Sequence, residues 1–163
     1  MKAKKRIALV AHDNCKKDMV EWVDWNWSEL LKHQLVCTGT TGKLVEQSLQ
    51  KQIAGDTPSP QNNQKPSLNI TKLMSGPFGG DQQLGAMIVG GEIDILIFFW
   101  DTMEPQPNDV DVKALLRIAV LYNIPTACNR STADFLISSS LIGEAYDPEV
   151  RDYAKYTNRE IRV

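Results

Sequence analysis

Asp81 ends a run of mostly small and ring-constrained residues, Ser75-Gly76-Pro77-Phe78-Gly79-Gly80, and opens an apolar-periodic stretch carrying Leu84, Met87 and Ile88. Glycines let a backbone turn back on itself and approach a ligand where a Cβ would clash. The pattern places Asp81 at or just before the first turn of a helix, where free N–H groups favour negative charge. Aspartate is also a frequent helix cap, so this stretch alone does not separate a catalytic carboxylate from a structural one. A second carboxylate shifts the reading. Ile95-Leu96-Ile97-Phe98-Phe99-Trp100 has the pattern of a buried strand and delivers Asp101 to its carboxyl end. That is the edge at which open α/β sheets hold their ligands. Two carboxylates on one edge suit proton transfer on a small polar molecule.

The segment Thr38-Gly39-Thr40-Thr41-Gly42 offers a different chemistry. It lies between the short strand Leu35-Val36-Cys37 and a helical pattern from Lys43 to Lys51. Three hydroxyls and two glycines there would present backbone N–H groups, O–H donors and a helix dipole to a phosphate. The segment is neither a Walker loop nor a Rossmann fingerprint. A polar loop that only caps the helix fits it equally well. His12-Asp13-Asn14-Cys15-Lys16 adds an imidazole, a carboxylate and an ammonium directly after the apolar run Ile7–Ala11.

The elements that must position these groups follow from hydrophobic periodicity. Ile7–Ala11 is a strand covered on both faces, followed by a helix from about Lys17 to Lys32. Met19, Trp22, Val23, Leu30 and Leu31 form its buried side, and Trp22 and Trp25 both read as packing residues. Leu68–Met74 is a third strand. The helix that begins at Asp81 stops at Gly90-Gly91, and Asp94 reads as a structural residue leading into the fourth strand. A two-proline loop after Asp101 leads to a helix from Asp109 through Leu121, with Asp109 and Asp111 in its first turn. Thr126-Ala127-Cys128 is a fifth strand, Ala133–Ile137 a last core helix, and residues 148–161 a charged helical tail. Residues 54–67, polar and with three prolines, form a mobile surface loop. The expectation is one α/β domain over residues 1–163, with a three-layer, Rossmann-like, mainly parallel five-stranded sheet.

Composition narrows the function classes. A chain of 163 residues suits one full-cored α/β domain. A net charge of −2 carries no signature of nucleic acid or membrane partners. Three widely spaced cysteines read as free thiols in a reducing, cytoplasmic setting. Neither histidine has a second ligand at metal-binding spacing, so no metal is expected.

Taken in order, these residues resemble the methylglyoxal synthase family. The matching stretches are Ala11–Lys16, Thr38–Gly42, Ser75-Gly76-Pro77 with Gly79–Gln83, and Ile97–Asp101. Asp109, Asp111–Arg117 and Thr132–Phe135 continue the match, so that most of the chain is covered in unbroken order. The resemblance implies a Rossmann-like homohexamer and a cofactor-free lyase of the glycolytic bypass. That lyase converts dihydroxyacetone phosphate, through an enediolate, to methylglyoxal and inorganic phosphate. It further implies that Asp81 is the base, with Asp101 and His12-Asp13 as supporting polar groups. His12, Lys16, Thr38, Gly39, Thr40, Thr41, Ser75 and Gly76 would cradle the phosphate. Allosteric inhibition by phosphate is common in the family, and Asp13, Asp111 and Arg117 resemble supporting or allosteric positions. Where the family carries a catalytic histidine this chain has Asn108, whose amide donates a hydrogen bond but does not titrate. Arg159 and Arg162 both lie near the family's phosphate-contacting arginine. The same fold also serves as the ligand-sensing domain of carbamoyl phosphate synthetase, so a phosphate-binding or catalytically impaired member is the alternative.

Overall fold

Uninterrupted apolar runs become central strands because both of their faces must be covered. The computed structural model describes residues 1–56, 67–104 and 109–154. Its strands are β1 (Arg6–Ala11), β2 (Gln34–Cys37), β3 (Ile70–Lys72), β4 (Ile95–Phe99) and β5 (Thr126–Ala127). They form one sheet in the order β3-β2-β1-β4-β5, and every pairing in it is parallel. The helices are α1 (Lys16–Leu30), α2 (Gly39–Gly55), α3 (Gly80–Val89), α4 (Asp109–Leu121) and α5 (Arg130–Ile137).

Successive residues of a strand point to opposite faces, and β1 divides the core accordingly. Ile7, Leu9 and Ala11 pack with Met19, Trp22 and Val23 of α1, Val45 and Leu49 of α2, and Ala133 and Ile137 of α5. Ala8 and Val10 pack on the other side with Leu84 and Ile88 of α3 and Val112, Leu115 and Ala119 of α4. Three layers result. Polar ties lock the helices of the first face together. The Asp24 carboxylate accepts from Ser48 Oγ at 2.7 Å and from Gln52 Nε2 at 2.9 Å. The buried Trp22 indole donates to Asp134 at 2.9 Å.

The chain runs outward from β1 to β2 and β3, then returns past β1 to lay down β4 and β5. Strand order therefore reverses between β1 and β4, which opens a crevice beyond their carboxyl ends. Their ladder ends at the pair Ala11 and Phe99. His12 and Asp101 lie just beyond it.

Several expectations change. The segment 38–42 is not a loop: Thr38 is the N-cap of α2, and Gly39–Gly42 are its first turn. The same helix continues to Gly55, two residues into the segment 54–67 expected as a surface loop; residues 57–66 lie outside the described residues. Trp25 is 84% exposed whereas Trp22 is fully buried, because at about 100° per residue Trp25 lies about 120° around from Met19, past the edge of the stripe that Trp22 already marks. Residues 148–153 carry no regular secondary structure, since charge without an apolar stripe gives a helix nothing to bury. Residues from 155 onward lie outside the described residues. Asp94 is structural, as read: its carboxylate accepts the Arg6 backbone N–H at 2.8 Å. No helix of the described residues is long and apolar enough to cross a membrane.

Candidate active site

Each wall of the crevice comes from a different β–α unit. The loop after β1 supplies His12 and Asp13, with Lys16 opening α1. The α2 N-terminus supplies Thr38, Thr40 and Thr41. The loop after β3 supplies Ser75 and Gly76, and the first turn of α3 supplies Asp81. Together they line one cleft of about 380 Å³, a size suited to a small metabolite.

The cradle is built on close backbone approach. The Gly39 N–H is shared between the Leu73 and Met74 carbonyls, 3.1 Å from each. A Cβ on Gly39 would lie 2.6 Å from the Ser75 Cβ. That contact sets the Ser75 loop against the first turn of α2, so Gly39 shapes the cradle without lining it. Thr38 and Thr41 are buried at its floor, and the Thr41 hydroxyl faces the Ala11 carbonyl at 3.5 Å. The orphan N–H groups of α2's first turn, the threonine hydroxyls and the Lys16 ammonium make a positive hollow suited to a phosphate dianion. Asp13 hydrogen-bonds and pairs with Lys16, which holds the Asp13 carboxyl below the usual aspartate range.

Asp81 is held by the turn before it. Gly79 adopts φ 96°, a conformation that favours glycine, and the Gly80 N–H donates to the Ser75 carbonyl at 3.0 Å. Gln83, one turn into α3, reaches back so that its Oε1 accepts the Met74 N–H at 2.8 Å. Asp81 is thereby buried, at 7% exposure, between the cleft and a groove that runs between α3 and α4. Asp111 lines that groove, on the far side of Asp81 from the phosphate cradle.

Asp101 sits on the rim rather than among the residues lining the cleft. Its Oδ2 accepts from Asn14 Nδ2 at 2.8 Å, and its Oδ1 accepts the Met103 and Glu104 N–H groups at 2.9 and 3.3 Å. The Asn14 bond first, then the Met103 bond, holds its carboxyl below the ordinary range. Its backbone N–H donates to His12 Nδ1 at 3.3 Å. That acceptor role leaves the proton of the neutral His12 ring on Nε2. The ring also stands edge-on to Phe98, with centroids 5.1 Å apart.

Beside the site, burial and the Asp101 and Asp18 carboxylates push the Cys15 thiol up. Arg117 is exposed on α4. Asn108, Arg159 and Arg162 lie outside the described residues. Among the described residues no three His, Cys, Asp or Glu side chains are grouped closely enough to hold a metal ion. Sequence reasoning did not single out Asn14 or Gln83. The available signals were an amide in the segment after β1 and an amide two residues past the candidate base.

The MGS-like domain family model matches residues 18–128. The chain is 55% identical to the methylglyoxal synthase of Maridesulfovibrio salexigens over 157 residues, covering 96% of this chain and 98% of that protein. It is 50% identical to that of Coxiella burnetii over the same length and the same shares. The crystal structure of methylglyoxal synthase from Elizabethkingia anophelis superposes with a TM-score of 0.84 at 46% identity. That match covers 99% of this chain and 95% of the other. The chain belongs to the methylglyoxal synthase family.

Proposed function

We propose that the cleft converts dihydroxyacetone phosphate to methylglyoxal and inorganic phosphate. The observation that carries this reading is the placement of the buried Asp81 carboxylate in the same cleft as a phosphate cradle, with its own turn pinned to that cradle.

With the phosphate on the α2 N-terminus and Lys16, the Asp81 carboxylate takes a proton from the hydroxymethyl carbon beside the carbonyl. The electron pair moves to the carbonyl oxygen, giving an enediolate. His12 Nε2–H donates to the oxygens on which this charge develops, the kind of preorganised donor that lowers such barriers. The terminal hydroxyl then passes its proton to the departing phosphate and becomes the aldehyde. The double bond shifts to the ester-bearing carbon, and the C–O bond breaks with its electron pair leaving on phosphate. Proton uptake at the new terminal carbon converts the enolate product to methylglyoxal. Expulsion requires the C–O bond to stand out of the enediolate plane, so the cradle's angle to Asp81 decides between elimination and isomerisation.

The test is turnover by the purified protein without added metal, following methylglyoxal and phosphate. Equal amounts of the two are expected, with Asp81→Asn silent in turnover but still binding phosphate. Retained turnover in Asp81→Asn would remove it as the base. Absence of turnover in the native chain would favour a phosphate-sensing role.

Self-association as a homohexamer and inhibition by phosphate belong to the same proposal. Val89, exposed in the α3/α4 groove, with Val110 and Val120 exposed elsewhere on α4, leaves apolar surface that supports a buried interface. Light scattering on the purified protein tests the first and the phosphate dependence of turnover the second; a monomer would refute the hexamer, and turnover unaffected by added phosphate would refute the inhibition.

A further inference from the structure

Where the β1–β4 ladder ends, a single amide continues the seam. Asn14 lies in the short 3-10 turn Asp13–Cys15 after β1, and its Nδ2 donates both to Asp101 Oδ2 at 2.8 Å and to Glu104 Oε2. Both partners belong to the segment after β4. Ionised carboxylates only accept, so the amide has one workable orientation, with its NH₂ toward the two acids. It is also a neutral donor between two negative groups that would otherwise repel.

The consequence reaches the cleft through Asp101. One oxygen of that carboxylate closes its own turn by accepting the Met103 and Glu104 N–H groups, and the other is held by Asn14. The Asp101 backbone N–H is then fixed where it meets His12 Nδ1 at 3.3 Å. The His12 backbone is tied to the same strand end, its N–H donating to the Phe99 carbonyl at 3.1 Å.

We propose that Asn14 is a positioning residue for this reaction, holding Asp101 and through it the Nε2–H tautomer of His12. This rests on His12 acting as the donor to the enediolate. With Asn14 lost, the segment after β4 relaxes away from β1, the Asp101 N–H leaves Nδ1, and the ring samples both tautomers. A ring protonated on Nδ1 turns an acceptor toward the developing oxyanion.

The test uses the full chain labelled with ¹⁵N-histidine. There are only two histidines, and His33 serves as an internal reference because its Nδ1 accepts the Lys5 N–H in the core at the other end of the sheet. Asn14→Asp keeps the shape and removes the donor. Asn14→Ser, too short to span both acids, is measured beside it in case the aspartate variant does not fold. Asn14→Gln restores the amide. In the first two variants the His12 resonances should move from Nε2–H to a mixture while those of His33 stay fixed. Their kcat should fall about ten- to hundredfold with KM changed less than about threefold, and Asn14→Gln should recover most of both. A fall in kcat with the His12 tautomer unchanged overturns the proposal, as does an unchanged kcat. A native chain with no turnover would instead sink the functional reading, and the tautomer measurement would still decide the role of Asn14 in the fold.

Discussion

A methyl group on Gly80 would lie 2.1 Å from the Met74 carbonyl oxygen. No rotamer relieves such a contact, because both partners are backbone. Gly80→Ala must therefore push the first turn of α3, and Asp81 with it, away from the cradle. A displacement near one ångström costs about a hundredfold in rate, and the overpacking costs about 1–3 kcal/mol of stability. Steady-state kinetics and a thermal melt on the same preparation check both. A variant with native kcat would show that Asp81 tolerates the shift and is not the group in register with the cradle.

Among the described residues, Lys16 is the only Lys or Arg lining the cleft, and it is paired with Asp13. Replacing it with methionine keeps the stem and deletes one charge-assisted hydrogen bond, worth about 1.5–3 kcal/mol. The expected result is a roughly ten- to hundredfold loss in kcat/KM. Inorganic phosphate should bind more weakly by a similar factor, measured by competition. Unchanged phosphate affinity would take Lys16 out of the cradle.

By its resemblance to the family, Asn108 is expected where the family carries a histidine. In the proposed mechanism Asp81 is the base and His12 an N–H donor, both lining one cleft, and an amide donor is then enough at position 108. Asn108→His should therefore change kcat less than about tenfold. A gain of about 10²-fold or more, the size of a missing general acid, would show that a titrating group is needed there.

His33 makes stability sensitive to acid. It is buried at 3% exposure, its Nδ1 accepts the Lys5 N–H at 3.2 Å, and its Nε2 lies 3.4 Å from the Glu29 carboxylate. Burial holds the imidazole below its ordinary range; Glu29 pulls the other way, and Lys5 and Lys32 add to the lowering. Because the folded value is depressed, the unfolded chain takes the proton first as pH falls. The contribution is complete above the unfolded value of about 6.5 and is lost toward the lower folded value, at no more than about 1.4 kcal/mol per pH unit. Melting curves at fixed protein concentration between pH 7.5 and 5 should fall for the native chain and flatten for His33→Gln. Parallel profiles for the two would assign the acid sensitivity elsewhere.

The order of strands and helices was readable because apolar runs and periodicity are local signals. The start of α2 was not. Gly39-Thr40-Thr41-Gly42 are poor helix formers, and the helix reaches them because Gly39 is anchored to the Leu73 and Met74 carbonyls and packed on Ser75. Nothing within ten residues of Gly39 announces that contact. In the same way Asp101 could be placed at the sheet edge from its strand, but the direction of its carboxylate could not, since Asn14 lies far away in sequence. Of the residues read as the cradle and the base, all but Gly39 line one cleft. Trp25 shows the opposite error: its apolar character suggested burial, and helix geometry turned it to solvent.

The return of the chain past β1 to place β4 also has a kinetic meaning. The cradle needs β1, β2 and β3, but the Asp101–His12 contact exists only once β4 has docked beside β1, with most of the intervening chain closed as a loop. Pairings that distant in sequence carry the largest loop-closure cost and form slowly. During refolding, helical signal and phosphate affinity should therefore return before turnover does, and the lag between them times the insertion of a single strand.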